Sequence, residues 1–166
     1  MTDLIRIGHG YDVHRFAETA EATTQQLGGV AVPIERPLLA HSDGDVVLHA
    51  IMDALLGALA WGDIGEWFPD TSAQWHQADS RALVEHIWRK ISAAGYRLGN
   101  LDVTVVAERP KLAPHKAAMR TTIAALCQAS ETQVNIKATT TEGLGFTGRS
   151  EGIACYAVVV LCRDLA

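Results

Sequence analysis

The stretch Arg6-Ile7-Gly8-His9-Gly10-Tyr11-Asp12-Val13-His14 decides how the rest of the chain reads. Leu4, Ile5 and Ile7 lead into it, and apolar and polar residues alternate towards its end, which is the period of a β-strand. Residues two apart on a strand share a face, so Asp12 and His14 point the same way. A carboxylate and an imidazole on one face can hold a divalent metal together. The same pair also fits a polar strand face wetted by solvent, and the spacing alone does not choose.

Outward from this strand, residues 17–28 are mostly small, polar and acidic, as in a surface loop or hairpin tip. Residues 29–33 read as a short edge strand whose pairing Pro33 ends. His41-Ser42-Asp43-Gly44-Asp45 precedes a helical pattern over residues 46–60, with Asp43 or Asp45 as its cap and Gly62 just past its end. Residues 61–79 form a long loop, and long loops inside compact domains usually carry function. A second helix spans 80–94, with Leu83, Ile87 and Ile91 on one face and Gly95 ending it. A strand over 101–107 follows. Pro110 and Pro114 then lead into a helix over 115–129. A strand over 134–138, a Thr- and Gly-rich loop over 139–152 and a strand over 153–161 complete the order. The last strand is continuously apolar and is expected to be buried on both faces.

This order makes a single α/β or α+β layer, one sheet with helices packed on one face. Something must cover the other face, and in a chain of 166 residues a partner subunit is a natural candidate. Hydrophobic residues make up 48%, enough for a packed core, and the length suits one domain. The net charge of -5 excludes a basic nucleic-acid surface, so an anionic ligand needs local help from a metal, helix N-termini or a few placed cations. Cys127, Cys155 and Cys162 are odd in number and contain no C-x-x-C pair, which reads as reduced thiols and a cytoplasmic setting. No secretory signal is visible, and the longest strongly apolar stretch, residues 153–162, is too short to span a bilayer. No membrane or nucleic-acid partner is expected.

His49 supplies a possible third metal ligand. Asp45, His49 and Asp53 fall four apart and form one polar stripe on an otherwise apolar helix. That stripe is either a solvated helix face or the wall of a site, and the spacing leaves both open. Three protein ligands would leave a tetrahedral position free, the mark of a catalytic zinc site. Free backbone N–H groups beside Ser42 at the start of that helix are a place for a phosphate, unless Ser42, Asp43 and Asp45 simply cap it. Lys137-Ala138-Thr139-Thr140-Thr141-Glu142-Gly143 ends a strand with three hydroxyls and a carboxylate, and Gly143, Gly145 and Gly148 let the backbone approach a ligand closely. Arg149 adds a cation. A Thr-rich hairpin with turn glycines fits the same residues.

Taken with Gly62-Asp63-Ile64-Gly65, Phe68-Pro69-Asp70-Thr71, Asp79-Ser80-Arg81 and the run from Lys137 through Gly152, the segments resemble the 2-C-methyl-D-erythritol 2,4-cyclodiphosphate synthase family in order and spacing across nearly the whole chain. The resemblance implies an α+β fold, one domain over residues 1–166, a mixed four-stranded sheet with helices on one face, and a homotrimer. It implies a reaction in which the 2-phosphate of 4-diphosphocytidyl-2-C-methyl-D-erythritol 2-phosphate attacks the inner phosphorus of its own diphosphate and CMP leaves. This step belongs to the non-mevalonate isoprenoid route and makes the enzyme a phosphorus–oxygen lyase.

The resemblance assigns Asp12, His14 and His49 to Zn2+, or another divalent transition metal, with a substrate phosphate oxygen completing the set. A Mg2+ or Mn2+ ion would bridge the two phosphates. By the same resemblance, His41 and Thr140 would be the catalytic pair beside the reacting phosphates. Val13 and Ser42 flank them. Asp63, Ile64 and Gly65 would hold the ribose, and Phe68, Pro69, Asp70, Thr71 and Ser72 would line the methylerythritol side. Ala107, Glu108, Arg109, Pro110, Lys111, Leu112 and Ala113, with Thr139, Thr141 and Glu142, would form the cytidine and diphosphate pocket, near Phe146 and Arg149. Each site would lie between neighbouring subunits. His9, Arg149 and Glu151 resemble residues lining the trimer axis. Two departures stand out: residues 17–27 are longer and more polar than the family pattern, and Ser150 stands where Gly is common. Rival readings are a trimer that binds a phosphorylated ligand without turnover, and a zinc hydrolase with Asp53 as its base.

Overall fold

Gly8 and Gly10 bring a strand and a helix into backbone contact, and the architecture grows from there. In the computed structural model, which describes residues 4–40, 42–69 and 78–163, β1 (Ile5–Arg15) lies along α1 (Val46–Ala58). A Cβ on Gly8 would fall 1.9 Å from the Ala54 carbonyl oxygen, and one on Gly10 1.9 Å from that of Ala50. Only glycine permits that approach. Every residue of α1 except Asp53 and Gly57 is buried, so this is the central helix of the core. Each of its fully buried large side chains, such as Leu48, Ile51 and Leu55, stabilises the fold by about 1.5–3 kcal/mol through removal from water.

The remaining elements, in order, are β2 (Thr23–Leu27), β3 (Val30–Ile34), α2 (Ile64–Trp67), α3 (Ser80–Ala93), β4 (Tyr96–Val106), α4 (Lys116–Leu126), β5 (Val134–Thr139), α5 (Gly145–Gly148) and β6 (Gly152–Arg163). A single 3-10 turn, Glu131–Gln133, precedes β5. The main sheet has the order β1-β6-β4-β5. Its β1–β6 and β6–β4 pairs are antiparallel and β4–β5 is parallel, so the expected mixed four-stranded sheet is present. The helices pack on one face: α1 against β1 and β6, α3 against β4 and α4 against β5.

Several expectations need correction. Residues 23–27, read as loop, form β2 and pair with β3 as a separate two-stranded ribbon. Pro33 does not end β3; it sits inside the ribbon opposite Thr24, which a two-stranded edge tolerates because one side of each strand needs no donor. The strand expected at 101 begins at Tyr96, and the bulge between Leu98 and Asn100 explains the error, since Gly99 at that bulge reads as a turn. The loops over 61–79 and 139–152 each hold a short helix, α2 and α5.

β6 is not buried on both faces. Tyr156 and Val158 are 43% and 41% exposed, and they pair across from Tyr11 and His9 on the side away from α1. Ile5, Ile7 and Val13 join them there, so the sheet turns an apolar face outward. The Tyr11 and Tyr156 rings pack in a tilted arrangement, 4.9 Å between centroids. Cys127 and Cys155 are buried and Cys162 is half-buried, all as free thiols. No helix among the described residues is long and apolar enough to cross a membrane.

Candidate metal centre

The close β1–α1 contact places Asp12, His14 and His49 together. Asp12 and His14 leave β1 on the face that Gly8 and Gly10 share, towards α1. Asp12 Oδ2 lies 2.9 Å from His14 Nε2 and 3.1 Å from His49 Nδ1, and the two nitrogens are 3.1 Å apart. Three ligand atoms from one chain thus form a small, nearly equilateral triangle. Atoms held about 2.0–2.1 Å from a tetrahedral ion lie about 3.3 Å from one another, so the donor set and its spacing fit zinc or a similar divalent metal.

The electrostatics agree with a cation site. Burial alone would raise the Asp12 carboxyl, but hydrogen bonds with His14 and His49 outweigh it and hold the group well below the usual carboxylate range. Burial disfavours the His49 cation, but the contact with Asp12, then the charges of Asp12, Asp45 and Asp43, outweigh it and raise this imidazole. The ionised Asp12 carboxylate therefore favours a cation beside it.

His49 is held from behind as well. Its Nε2 lies 3.0 Å from Ser80 Oγ, at the start of α3, and 3.3 Å from Ser42 Oγ. Ser80 Oγ in turn donates to Asp43 Oδ1 at 2.6 Å. Sequence reasoning missed this role for Ser80 and Asp43. The available signal was that Asp79 caps α3, which leaves the neighbouring hydroxyl with nothing local to bond.

The stripe of Asp45, His49 and Asp53 is not one wall. Asp45 is fully buried and accepts from Gly28, Gly29, Val47 and Leu48 N–H groups, so it caps α1 and ties down the β2–β3 turn. Burial pushes its carboxyl up, and those backbone donors oppose the shift. This also overturns the idea of a phosphate on the α1 N-terminus. Val46 N bonds Gly44, Val47 and Leu48 N bond Asp45, and His49 N bonds the Asp45 carbonyl. Asp53, the possible base of a hydrolase, accepts from Ile64 N at 2.9 Å, and burial raises its pKa.

Asp53 instead fixes the Asp63-Ile64-Gly65 segment onto α1. Asp63 caps the short α2 through Glu66 N, and Phe68 is buried against Trp67 and His86. His41, Asp70, Thr71 and Ser72 lie outside the described residues. The loop from Ala107 to Ala113 and the loop from Thr139 to Glu142 meet at the ends of the parallel pair β4–β5: Ala107 N bonds Thr139 O, and Thr141 N bonds Glu108 Oε1. Leu112 is in the core, so its side chain packs inward and does not line an open pocket. Thr140 and Phe146 are exposed, and Arg149 pairs with Glu151 at 2.7 Å. A cavity of about 690 Å³ lies between Arg109, Pro110, Lys111 and the β2–β3 ribbon, and none of the metal triangle lines it.

Among the described residues, the metal triangle and the Thr139 loop stand apart across the sheet. Asp12 pairs with Cys155, Cys155 with Val105, and Val105 with Ala138. Three strand spacings, about 14 Å, therefore separate the Asp12 level of β1 from the start of the Thr139 loop.

A family model described as YgbB family matches residues 5–162. The chain belongs to the YgbB family. Among YgbB relatives, a 2-C-methyl-D-erythritol 2,4-cyclodiphosphate synthase of Pseudoalteromonas atlantica is 59% identical over 98% of both chains. One of the same name from Stutzerimonas stutzeri is 60% identical over 96% of this chain and 99% of its own. The solved structure of a Plasmodium falciparum IspF complex with CDP superposes with a TM-score of 0.86 at 33% identity, covering 99% of this chain and 100% of that one. The family expected from the sequence is thus the family found.

Proposed function

We propose that the chain is a 2-C-methyl-D-erythritol 2,4-cyclodiphosphate synthase. It converts 4-diphosphocytidyl-2-C-methyl-D-erythritol 2-phosphate to the 2,4-cyclodiphosphate and CMP, as a phosphorus–oxygen lyase of the non-mevalonate isoprenoid pathway. The observation that carries this reading is the Asp12–His14–His49 triangle, with its ligand atoms about 3 Å apart, in a chain of this family. That CDP binds a structural relative supports a cytidine diphosphate substrate.

The attacking and receiving groups are both anionic, so positioning and charge neutralisation carry the catalysis. Asp12, His14 and His49 would hold a divalent metal such as Zn2+ and so orient a substrate phosphate; the ion would supply Lewis acidity, and Mg2+ or Mn2+ would accompany the diphosphate. His41 and Thr140 flank the reacting phosphorus and stabilise its developing charge. Val13 and Ser42 border it. Asp63, Ile64 and Gly65 bind the ribose, and Phe68, Pro69, Asp70, Thr71 and Ser72 border the methylerythritol. The loop from Ala107 to Ala113, with Thr139, Thr141 and Glu142, receives the cytosine and diphosphate, near Phe146 and Arg149. No general base is needed, because a phosphate dianion is already ionised at neutral pH.

The same reading makes the working form a homotrimer with each site shared between copies. Two features support it. The apolar sheet face that carries Tyr11, Val13, Tyr156 and Val158 is larger in kind than isolated exposed side chains, which need no cover. The separation of about 14 Å between the Asp12 level of β1 and the Thr139 loop also leaves room for a second copy to complete the site. The whole chain acts as one domain in a cytoplasmic enzyme.

The test is direct. Purified protein with zinc and magnesium releases CMP from the diphosphocytidyl substrate and stops when a strong chelator is added. Absence of CMP release under those conditions overturns the assignment. His49→Ala loses zinc; full retention removes His49 from the ligand set.

A further inference from the structure

We propose that Ser80 and Asp43 are positioning residues that fix His49 in the tautomer a metal requires, a role that rests on reading the triangle as a metal centre. A neutral imidazole has one N–H and one lone pair, and only the lone pair can ligate. His49 presents Nδ1 to Asp12 and His14, so its proton must sit on Nε2. The residue that receives that proton therefore sets the ligand's readiness.

Ser80 is built for it. Its side chain is fully buried. It does not cap α3, because Asp79 accepts from Arg81 N and does so itself. Its Oγ has one hydrogen to give. Asp43 takes it at 2.6 Å, and both oxygens of this carboxylate already face backbone donors, Oδ1 receiving Asp45 N at 3.2 Å and Oδ2 receiving Ser80 N at 2.9 Å. Asp43 thus enters as acceptor, Ser80 is its donor, and the free lone pairs of Ser80 Oγ face His49 Nε2 at 3.0 Å. The direction of the chain is settled: His49 Nε2–H to Ser80 Oγ, and Ser80 Oγ–H to Asp43. Ser42 Oγ is farther from Nε2, at 3.3 Å, and already accepts from Gly44 N. Partners behind a ligating histidine orient the ring and raise its basicity, and losing one typically costs about 10–100-fold in metal affinity.

The arrangement also joins three separate stretches. Asp43 precedes α1, His49 lies on it, and Ser80 opens α3, so the docking of α3 on α1 is what supplies the acceptor.

The experiment is zinc competition with a chromogenic chelator on the full chain. Ser80→Ala is expected to bind zinc about 10–100-fold more weakly, and Ser80→Thr, which keeps the hydroxyl, to recover most of the loss. Zinc binding by Ser80→Ala within about twofold of the parent overturns the proposal. If Ser80→Ala does not fold, nitrogen-15 imidazole spectra of the unsubstituted, zinc-loaded chain decide: a proton on His49 Nε2 with the metal on Nδ1 supports it, and the reverse overturns it. A parent chain that binds no zinc overturns the metal centre itself, which separates that failure from failure of the positioning role.

Discussion

Gly10 lies so close to Ala50 that a Cβ on the glycine would meet the alanine carbonyl oxygen at 1.9 Å. Gly8 meets Ala54 in the same way, so two steps along β1 match four steps along α1 in the opposite sense. Two strand residues rise about 6.6 Å and four helical residues about 6.0 Å, which keeps the two elements in register. That register carries Asp12 opposite the first turn of α1, within reach of the His49 side chain. Gly10→Ala is therefore expected to cost about 3 kcal/mol or more, because backbone faces backbone and no side chain can give way. Urea denaturation measures it, and a loss under about 1 kcal/mol would show that the helix and strand separate easily.

Asp45 joins two parts of the fold through four backbone N–H groups. An orphaned buried donor costs about 1–3 kcal/mol, so Asp45→Ala should destabilise by several kcal/mol and free the β2–β3 turn first. Hydrogen exchange at Gly28 and Gly29 reports that release. Unchanged protection there would mean the ribbon is held by other contacts.

These two contacts mark what the sequence could tell. The alternation around Asp12 and the caps and apolar spacing of α1 and α3 are local, and they placed β1, α1 and α3 within a few residues. The meeting of His49 with Asp12 is tertiary, and only the resemblance to a known family predicted it. β2 escaped notice because its buried side of Gln25 and Leu27 includes a polar residue. Gln25 is buried, with Nε2 donating to Asp43 O at 2.7 Å and Oε1 accepting from Leu38 N at 3.1 Å. A glutamine satisfied by distant backbone looks like loop in sequence. Asp45 is the α1 cap that the spacing allows, but whether its stripe with His49 and Asp53 is a solvated face or a site wall stays open in sequence, because a carboxylate's partners are invisible until the chain is folded.

The charge state of the triangle gives a pH signature in the metal-free protein. The His49 value is raised in the fold, so its contribution is fully present below the ordinary histidine pKa of about 6.5 and is lost as pH rises through the higher folded value. Asp12 is depressed, so its contribution is present above its ordinary carboxylate pKa of about 3.9 and is lost only in strong acid. Melting temperature without metal should thus fall as pH climbs above about 6.5. With zinc the sign reverses, since protons then compete for the imidazole. Differential scanning calorimetry with chelator and with zinc checks both directions. Parallel curves would remove His49 protonation from the account.

On the outer sheet face, Val158 is 41% exposed beside Tyr156 and opposite His9. Val158→Glu should leave the chain folded and able to bind zinc while preventing assembly, because a carboxylate would be desolvated between copies. Light scattering gives the mass. A mass unchanged from the parent would place the interface elsewhere.

Ser150 adopts φ +55, the left-handed region, and its carbonyl accepts from Arg36 Nη2 at 2.6 Å. A left-handed residue with a Cβ costs roughly 1–2 kcal/mol, partly offset by the entropy glycine loses on folding, so Ser150→Gly should stabilise by up to about 1 kcal/mol. Chemical denaturation decides it, and a destabilised variant would show that the hydroxyl has a use.

All three atoms of the triangle come from one copy of the chain. Under the proposed metal-site reading, a single polypeptide would carry all three ligands, and loading should be indifferent to dilution. Turnover by a pocket shared between copies should not be. Under the proposed shared pocket, maturation would have an order, with each chain charged first and joined second.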